Sequence, residues 1–288
     1  MTMPTKITNA IMAMLALWGG TAAAQHVGAP QRTGGEAWRT RSTLVGVGHV
    51  SMLDTYLSPE KYRGTELMVM TVSRREKDST AWVRQTTHEG HVAMADNRSG
   101  NGGEMAGQYQ LRLAMMRRWR TTVAGHPMQL MAGGTAHLQL GFVYNTRGSN
   151  NPAQARLALD IEPTVAADLY LGRPSHTAAP APSPGGCARY PMALHYEVSA
   201  PMCGVRFSPN YGQSYYEIFS RGNYDHNIVP TTFVATPSVR HMLTLDVRWL
   251  RTVWRIGYVG DFTQQNVNRI KQHSYTHAFV IGVTKTLH

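Results

Sequence analysis

The chain has 288 residues with 28 Lys and Arg against 17 Asp and Glu, a formal net charge of +11. After the first 24 residues no apolar run approaches the roughly 20 residues of a membrane helix, so a helical membrane protein is excluded. Basic residues recur singly inside alternating segments and in groups such as Arg117, Arg118 and Arg120, without the stripe or tail of a nucleic-acid binder. Their expected partners are lipopolysaccharide and anionic phospholipid, and no nucleic acid is expected.

In chain order, Lys6, the apolar residues from Ile11 to Trp18, and Thr21 to Ala24 make a charged start, a short apolar core and a small-residue cleavage site. This is the pattern of a secretory signal peptide over residues 1–24, cut after Ala24. A short N-terminal periplasmic segment is expected over 25–41, and a single β-barrel domain over 42–288.

From there the recurring signal is alternation, the period of a strand whose faces meet different environments. Tyr109, Leu111, Leu113 and Met115 oppose Gln108, Gln110 and Arg112. Leu138, Leu140, Phe142 and Tyr144 oppose His137 and Gln139, and Leu157, Leu159 and Ile161 oppose Arg156, Asp160 and Glu162. Met192, Leu194, Tyr196 and Val198 oppose His195 and Glu197, while Leu243, Leu245, Val247 and Trp249 oppose Asp246 and Arg248. Weaker segments begin near Leu44, Leu67, Trp82, Val253 and Tyr275, for about ten strands, within 8 to 12. Their length, mid-strand charges and the aromatic residues near their ends favour an all-β, antiparallel transmembrane barrel over a soluble sandwich.

Connections are expected to alternate. Residues 75–79, 123–127 and 250–252 read as tight periplasmic turns, and 54–64, 95–104, 145–152, 208–237 and 261–274 as longer outward loops. The Pro- and Ala-rich stretch 172–186 is long yet falls on the periplasmic side. Beside it, Cys187 and Cys203 stand 16 residues apart, a spacing compatible with a disulfide or with two free thiols. An even strand number puts both termini in the periplasm.

Two segments carry a family resemblance. Residues 44–64, containing Asp54-Thr55-Tyr56-Leu57-Ser58-Pro59, and residues 204–219, containing Tyr211-Gly212-Gln213-Ser214-Tyr215-Tyr216-Glu217, resemble an uncharacterised family of Bacteroidetes outer-membrane proteins. The resemblance implies an outer-membrane β-barrel without an assigned activity. Barrels of that membrane tend to end on an aromatic residue for the insertion machinery, whereas this chain ends Leu287, His288.

Chemistry is sparse. His49 and Ser51 share a strand face at the i, i+2 spacing of a barrel lipid hydrolase, with Glu66 as the nearest candidate to orient the imidazole. His-x-Ser arises readily by chance in a chain with 13 His, and no catalytic residue is assigned. Asp225, His226 and His241 lack ligand spacing, so neither metal nor cofactor is expected. Arg112, Arg156, Asp160, Glu162, His195, Glu197, Asp246, Arg248 and Arg255 are expected to form a polar network in the lumen. Tyr211, Tyr215, Tyr216, Phe219 and Tyr224 crowd one loop, as a contact surface, an internal plug or a lipid anchor. Ten strands leave no wide pore. The expected role is a structural or surface-interaction barrel, with a narrow small-solute channel second and the hydrolase third.

Overall fold

The computed structural model describes residues 37–77, 79–147, 151–172, 190–222, 224, 226–250 and 252–287. Residues 1–36, which include the expected signal peptide, and the stretch 173–186 lie outside the described residues. Twelve strands are present among those described: β1 (Ala37–Asp54), β2 (Ser58–Lys77), β3 (Trp82–Asp96), β4 (Gly103–Val123), β5 (His126–Asn145), β6 (Ala153–Leu171), β7 (Met192–Ser199), β8 (Cys203–Phe207), β9 (Ile228–Thr232), β10 (Val239–Trp249), β11 (Thr252–Val267) and β12 (Ile270–Leu287). One short helix, α1 (Tyr215–Arg221), sits between β8 and β9.

All pairings are antiparallel, and β1 pairs both β2 and β12, so the sheet closes. Two of its staves are broken strands. β7 and β8 follow one another along the same edge of β6, facing Thr164–Leu171 and Leu157–Ile161 respectively. Between them Pro201 offers no N–H, and the ladder is bridged by Ala200 N donating to Pro163 O (3.4 Å) and Met202 N donating to Ile161 O (2.9 Å). β9 and β10 together make the neighbouring stave, and the closed barrel has ten. Where β10 pairs both β7 and β11 the closed sheet has no open edge, as a lipid environment demands.

Parity separates the two faces. On β6, Leu157, Leu159, Ile161 and Val165 are exposed on the outer wall, while Asp160, Glu162, Thr164 and Asp168 are buried in the bore. The other strands with clean alternation behave the same way. On β1 and β2 the middle of the inward face is apolar instead, with Leu44, Met68, Met70 and Val72 packed with Met242, Val259 and Val280. Both faces of those strands are then apolar, which blurs their alternation.

Ala37, where β1 starts, and Leu287, where β12 ends, lie at one end of the barrel, hereafter the terminal end, with the connections 78–81, 124–125 and 250–251. Ala124 (φ 50°) and Gly125 (φ 79°) form a two-residue hairpin turn there, where a left-handed backbone follows the strand twist. The opposite, loop end corrects three expected loops. The region 261–274 is a hairpin tightened by Asn268 (φ 52°) and Arg269 (φ 63°), with Val267 and Ile270 turned inward. β2 begins at Ser58, leaving only 55–57 as a turn, and β9 shortens 208–237 to 208–227. These polar stretches stay in the sheet because the ladder satisfies their backbone wherever the barrel extends beyond the lipid. β1 starts at Ala37, inside the segment expected ahead of the barrel, and Trp38 is buried. Cys203 is an exposed free thiol on β8, and Cys187 lies outside the described residues.

Candidate functional site

The bore carries a chain of ionic contacts that starts near the terminal end. Arg118 reaches Glu76 (2.5 Å), Glu76 lies 3.8 Å from Arg74, and Arg74 binds Asp168 (2.6 Å). Asp168 holds His195, which stands 3.7 Å from Glu197, and Glu197 stands 3.7 Å from Arg240. Arg240 also binds Glu89, and Glu89 lies 3.4 Å from His91, which binds Glu66. Gln85 donates to Glu197 (2.6 Å) and Thr276 to Glu66 (2.5 Å). Each histidine stands between two carboxylates, and Arg240 joins the two halves. Charges this deep persist only when paired, because an unpaired one costs several kcal/mol, of order 3 to 5.

The nine residues expected in the lumen divide among several groups. Arg112 binds Glu162 (2.6 Å), Arg255 binds Asp246 through two bonds (2.5 and 2.6 Å), and His195 and Glu197 belong to the chain just described. Asp160 accepts from Arg206 (2.8 Å), and Arg156 lies 3.7 Å from Asp54. Arg248 is exposed near the terminal end of β10. Sequence reasoning did not place Glu66, Arg74, Glu76, Glu89, His91, Arg118, Asp168, Arg206 and Arg240 in the lumen. Parity alone would have placed those on β2 and β3 inward, but Met68 and Met70 share the face of Glu66 and Arg74.

Toward the loop end this packing gives way to a polar cavity of about 40 Å³, room for a few waters. Gln108, Gln110, Gln139, Gln265 and Gln272 line it with Arg156 and Arg206. The segment 208–227 lies over this end. Ser214 caps α1 in a reciprocal capping box with Glu217, and Gly222 ends the helix with a left-handed backbone. Tyr56 Oη donates to Gln213 O (2.8 Å), Tyr215 Oη accepts from Ala155 N (2.7 Å), and Asn268 donates to Ser208 O (2.9 Å) and His226 O (3.0 Å). Burial pushes the Tyr215 phenol up to about 12 and raises Tyr56 as well. The two sequence signatures therefore meet across the mouth, with the rings of Tyr56 and Tyr215 edge to face at 5.9 Å. Of the five loop aromatics only Tyr215 is tucked in; Tyr211, Tyr216, Phe219 and Tyr224 are exposed, and Phe219 stacks on Phe207.

On the outer wall, His49 and Ser51 face away from the bore while Glu66 faces into it. A wall of backbone separates them, so the proposed orienting carboxylate cannot reach the imidazole. At the terminal end a basic girdle faces outward: Arg41 pairs across the sheet with Lys285, and Arg39 with Arg75, itself opposite Arg84. Trp82 lies opposite Arg117, whose guanidinium stands 5.7 Å from the Trp119 ring.

A closed ten-stave barrel, apolar outside and ionic inside, is a transmembrane β-barrel of the outer-membrane type. The chain belongs to the family described as protein of unknown function (DUF3316), whose model matches residues 10–288. No curated protein matches the sequence. Among solved structures, the transport unit of the autotransporter AIDA-I from Escherichia coli is similar at 6% identity, covering 96% of this chain and 98% of that one, with a TM-score of 0.37. The translocator domain of autotransporter NalP from Neisseria meningitidis matches at 10% identity, 96% of each chain and 0.32. The outer membrane protease OmpT from Escherichia coli matches at 6% identity, 90% of this chain, 99% of that chain and 0.40.

Proposed function

We propose that this is an outer-membrane protein, exported on a signal peptide cut near Ala24, that works through its loop-end surface and neither conducts solutes nor catalyses a reaction. The observation that carries this reading is the ionic chain from Arg118 to Glu66, which fills the bore with paired side chains. A pathway through it would separate buried ion pairs, at a cost of order 3 to 5 kcal/mol for each charge stranded. The exposed Tyr211, Tyr216, Phe219 and Tyr224 supply the contact surface at the loop end, where lipopolysaccharide or a surface partner would be met. The terminal girdle of Arg39, Arg41, Arg75, Arg84 and Lys285 suits the anionic phospholipid of the periplasmic leaflet. Barrel-insertion machinery is the further partner. A narrow small-solute channel is the second reading, favoured by the glutamine-lined cavity. Planar-bilayer recording of the refolded barrel separates the two: absence of unitary currents is expected, and stable unitary currents would establish the channel.

A further inference from the structure

His137, Asp160 and Glu162 are all buried in the bore, and one ligand atom from each lies within 4.8 Å of the others. The placement follows from the sheet. Asp160 and Glu162 are i, i+2 on the inward face of β6, and His137 on β5 is the register partner of Asp160. Each carboxylate has one oxygen engaged: Glu162 Oε2 accepts from Arg112 (2.6 Å) and Ser199 (2.7 Å), and Asp160 Oδ2 accepts from Arg206 (2.8 Å). The remaining atoms of the cluster make no geometrically formed hydrogen bond outside it. Asp160 Oδ1 has no hydrogen-bond partner, nor does either ring nitrogen of His137.

His137 Nδ1 approaches Glu162 Oε1 to 2.8 Å without making a hydrogen bond. The two atoms form an ion pair when the imidazole is protonated, and with the imidazole neutral they stand as close as two ligands of one cation do. Gly204, the register partner of Asp160, keeps the space beside it clear, since a Cβ there would stand 2.2 Å from Asp160 Oδ1. Buried polar atoms without partners are rare and call for an explanation such as an ion.

We propose that His137, Asp160 and Glu162 bind one divalent transition-metal ion, with its remaining coordination positions open to the loop-end cavity. Arg112, Ser199 and Arg206 each hold one oxygen of their carboxylate and leave the other free, as supporting donors do around metal-ligating carboxylates. One imidazole nitrogen with two carboxylate oxygens suits Zn²⁺, Mn²⁺ or Fe²⁺ better than Mg²⁺ or Ca²⁺, which favour all-oxygen sites. The cavity comes up to the site: its lining includes Arg206, which binds Asp160, and Gln139 and Ala158, each two residues from a proposed ligand. The inference goes beyond the proposed function and holds for a sealed barrel as for a conducting one.

The test uses the refolded barrel, free of any histidine tag and stripped with a chelator. Zn²⁺ is titrated calorimetrically, and Co²⁺ serves as a visible-absorption probe. One Zn²⁺ per barrel is expected, together with Co²⁺ bands that Zn²⁺ bleaches. His137→Ala and Asp160→Asn should each weaken binding by at least about tenfold, the smaller effect seen even for supporting residues. The double variant His49→Ala/His277→Ala, on the outer wall, should bind as the native barrel does. Heat-modifiable gel migration establishes that each variant is folded; if His137→Ala is not, His137→Gln carries the same expectation. No stoichiometric ion on the native barrel, or native-like binding by the folded His137 variant, would overturn the site, as would loss of binding in the outer-wall double variant.

Discussion

The two halves of the bore are built on opposite plans. Toward the terminal end, arginines and histidines alternate with carboxylates, and Arg74, Asp168, His195, Glu197 and Arg240 follow one another in contact. Toward the loop end, five glutamines with Arg156, Arg206 and Asp261 surround a cavity that the end of the ionic chain, His91 and Glu66, also borders, and a folded segment lies over it. The difference separates closing a barrel from covering it. A seal made of buried ions is strong because breaking it strands charge, whereas a cover held by single neutral hydrogen bonds opens for about 1 kcal/mol per bond.

The largest effect should come from removing the ion that joins the halves of the ionic chain. Arg240→Ala leaves Glu89 and Glu197 without their shared cation and should lower unfolding stability by about 3 to 5 kcal/mol, read by urea titration in detergent. A loss under 1 kcal/mol would mean that the chain does not lock the bore. Next comes the cover. Ser214→Ala removes the N-cap of α1 and should cost about 1 kcal/mol locally, seen as faster proteolysis within 208–227 with the barrel's own unfolding midpoint unchanged. If that midpoint moved as far as with Arg240→Ala, the two halves would not be independent. Tyr56→Phe deletes one bond to Gln213 and should loosen the same segment by about 0.5 to 1.5 kcal/mol without admitting current through the barrel. The smallest change is expected for Gln108→Ala in the cavity wall, within about 0.5 kcal/mol, measured by the same urea titration.

The same division governs what the sequence reveals. β4, β5, β6, β7 and β10 present polar residues to the bore and apolar ones to lipid, so Leu111, Leu138, Leu159, Leu194 and Leu243 announce their orientation by parity alone. β1 and β2 carry Leu44, Met68 and Met70 inward against Val45, Leu67 and Val69 outward, and period two then has nothing to contrast. That is why Arg74, Glu76 and Glu66 went unread as lumen groups, although Glu162 and Arg112 were legible. The pairing of Arg240 with Glu89 joins residues 151 positions apart and follows from closure of the barrel, which no local pattern encodes. Likewise His137, Asp160 and Glu162 converge only once β5 and β6 are set in register. The loop aromatics were recognised as a group, but whether they plug the bore or face outward depends on Tyr215 anchoring to Ala155 and leaving Tyr216 and Phe219 exposed.

The most direct test of an ionic seal is planar-bilayer recording of the barrel with residues 208–227 replaced by a short Gly-Ser turn between β8 and β9. The cover is then gone and the ionic chain intact. No unitary current is expected from this variant, as from the native protein; stable unitary currents once the segment is removed would show that the cover, and not the ion pairs, closes the barrel.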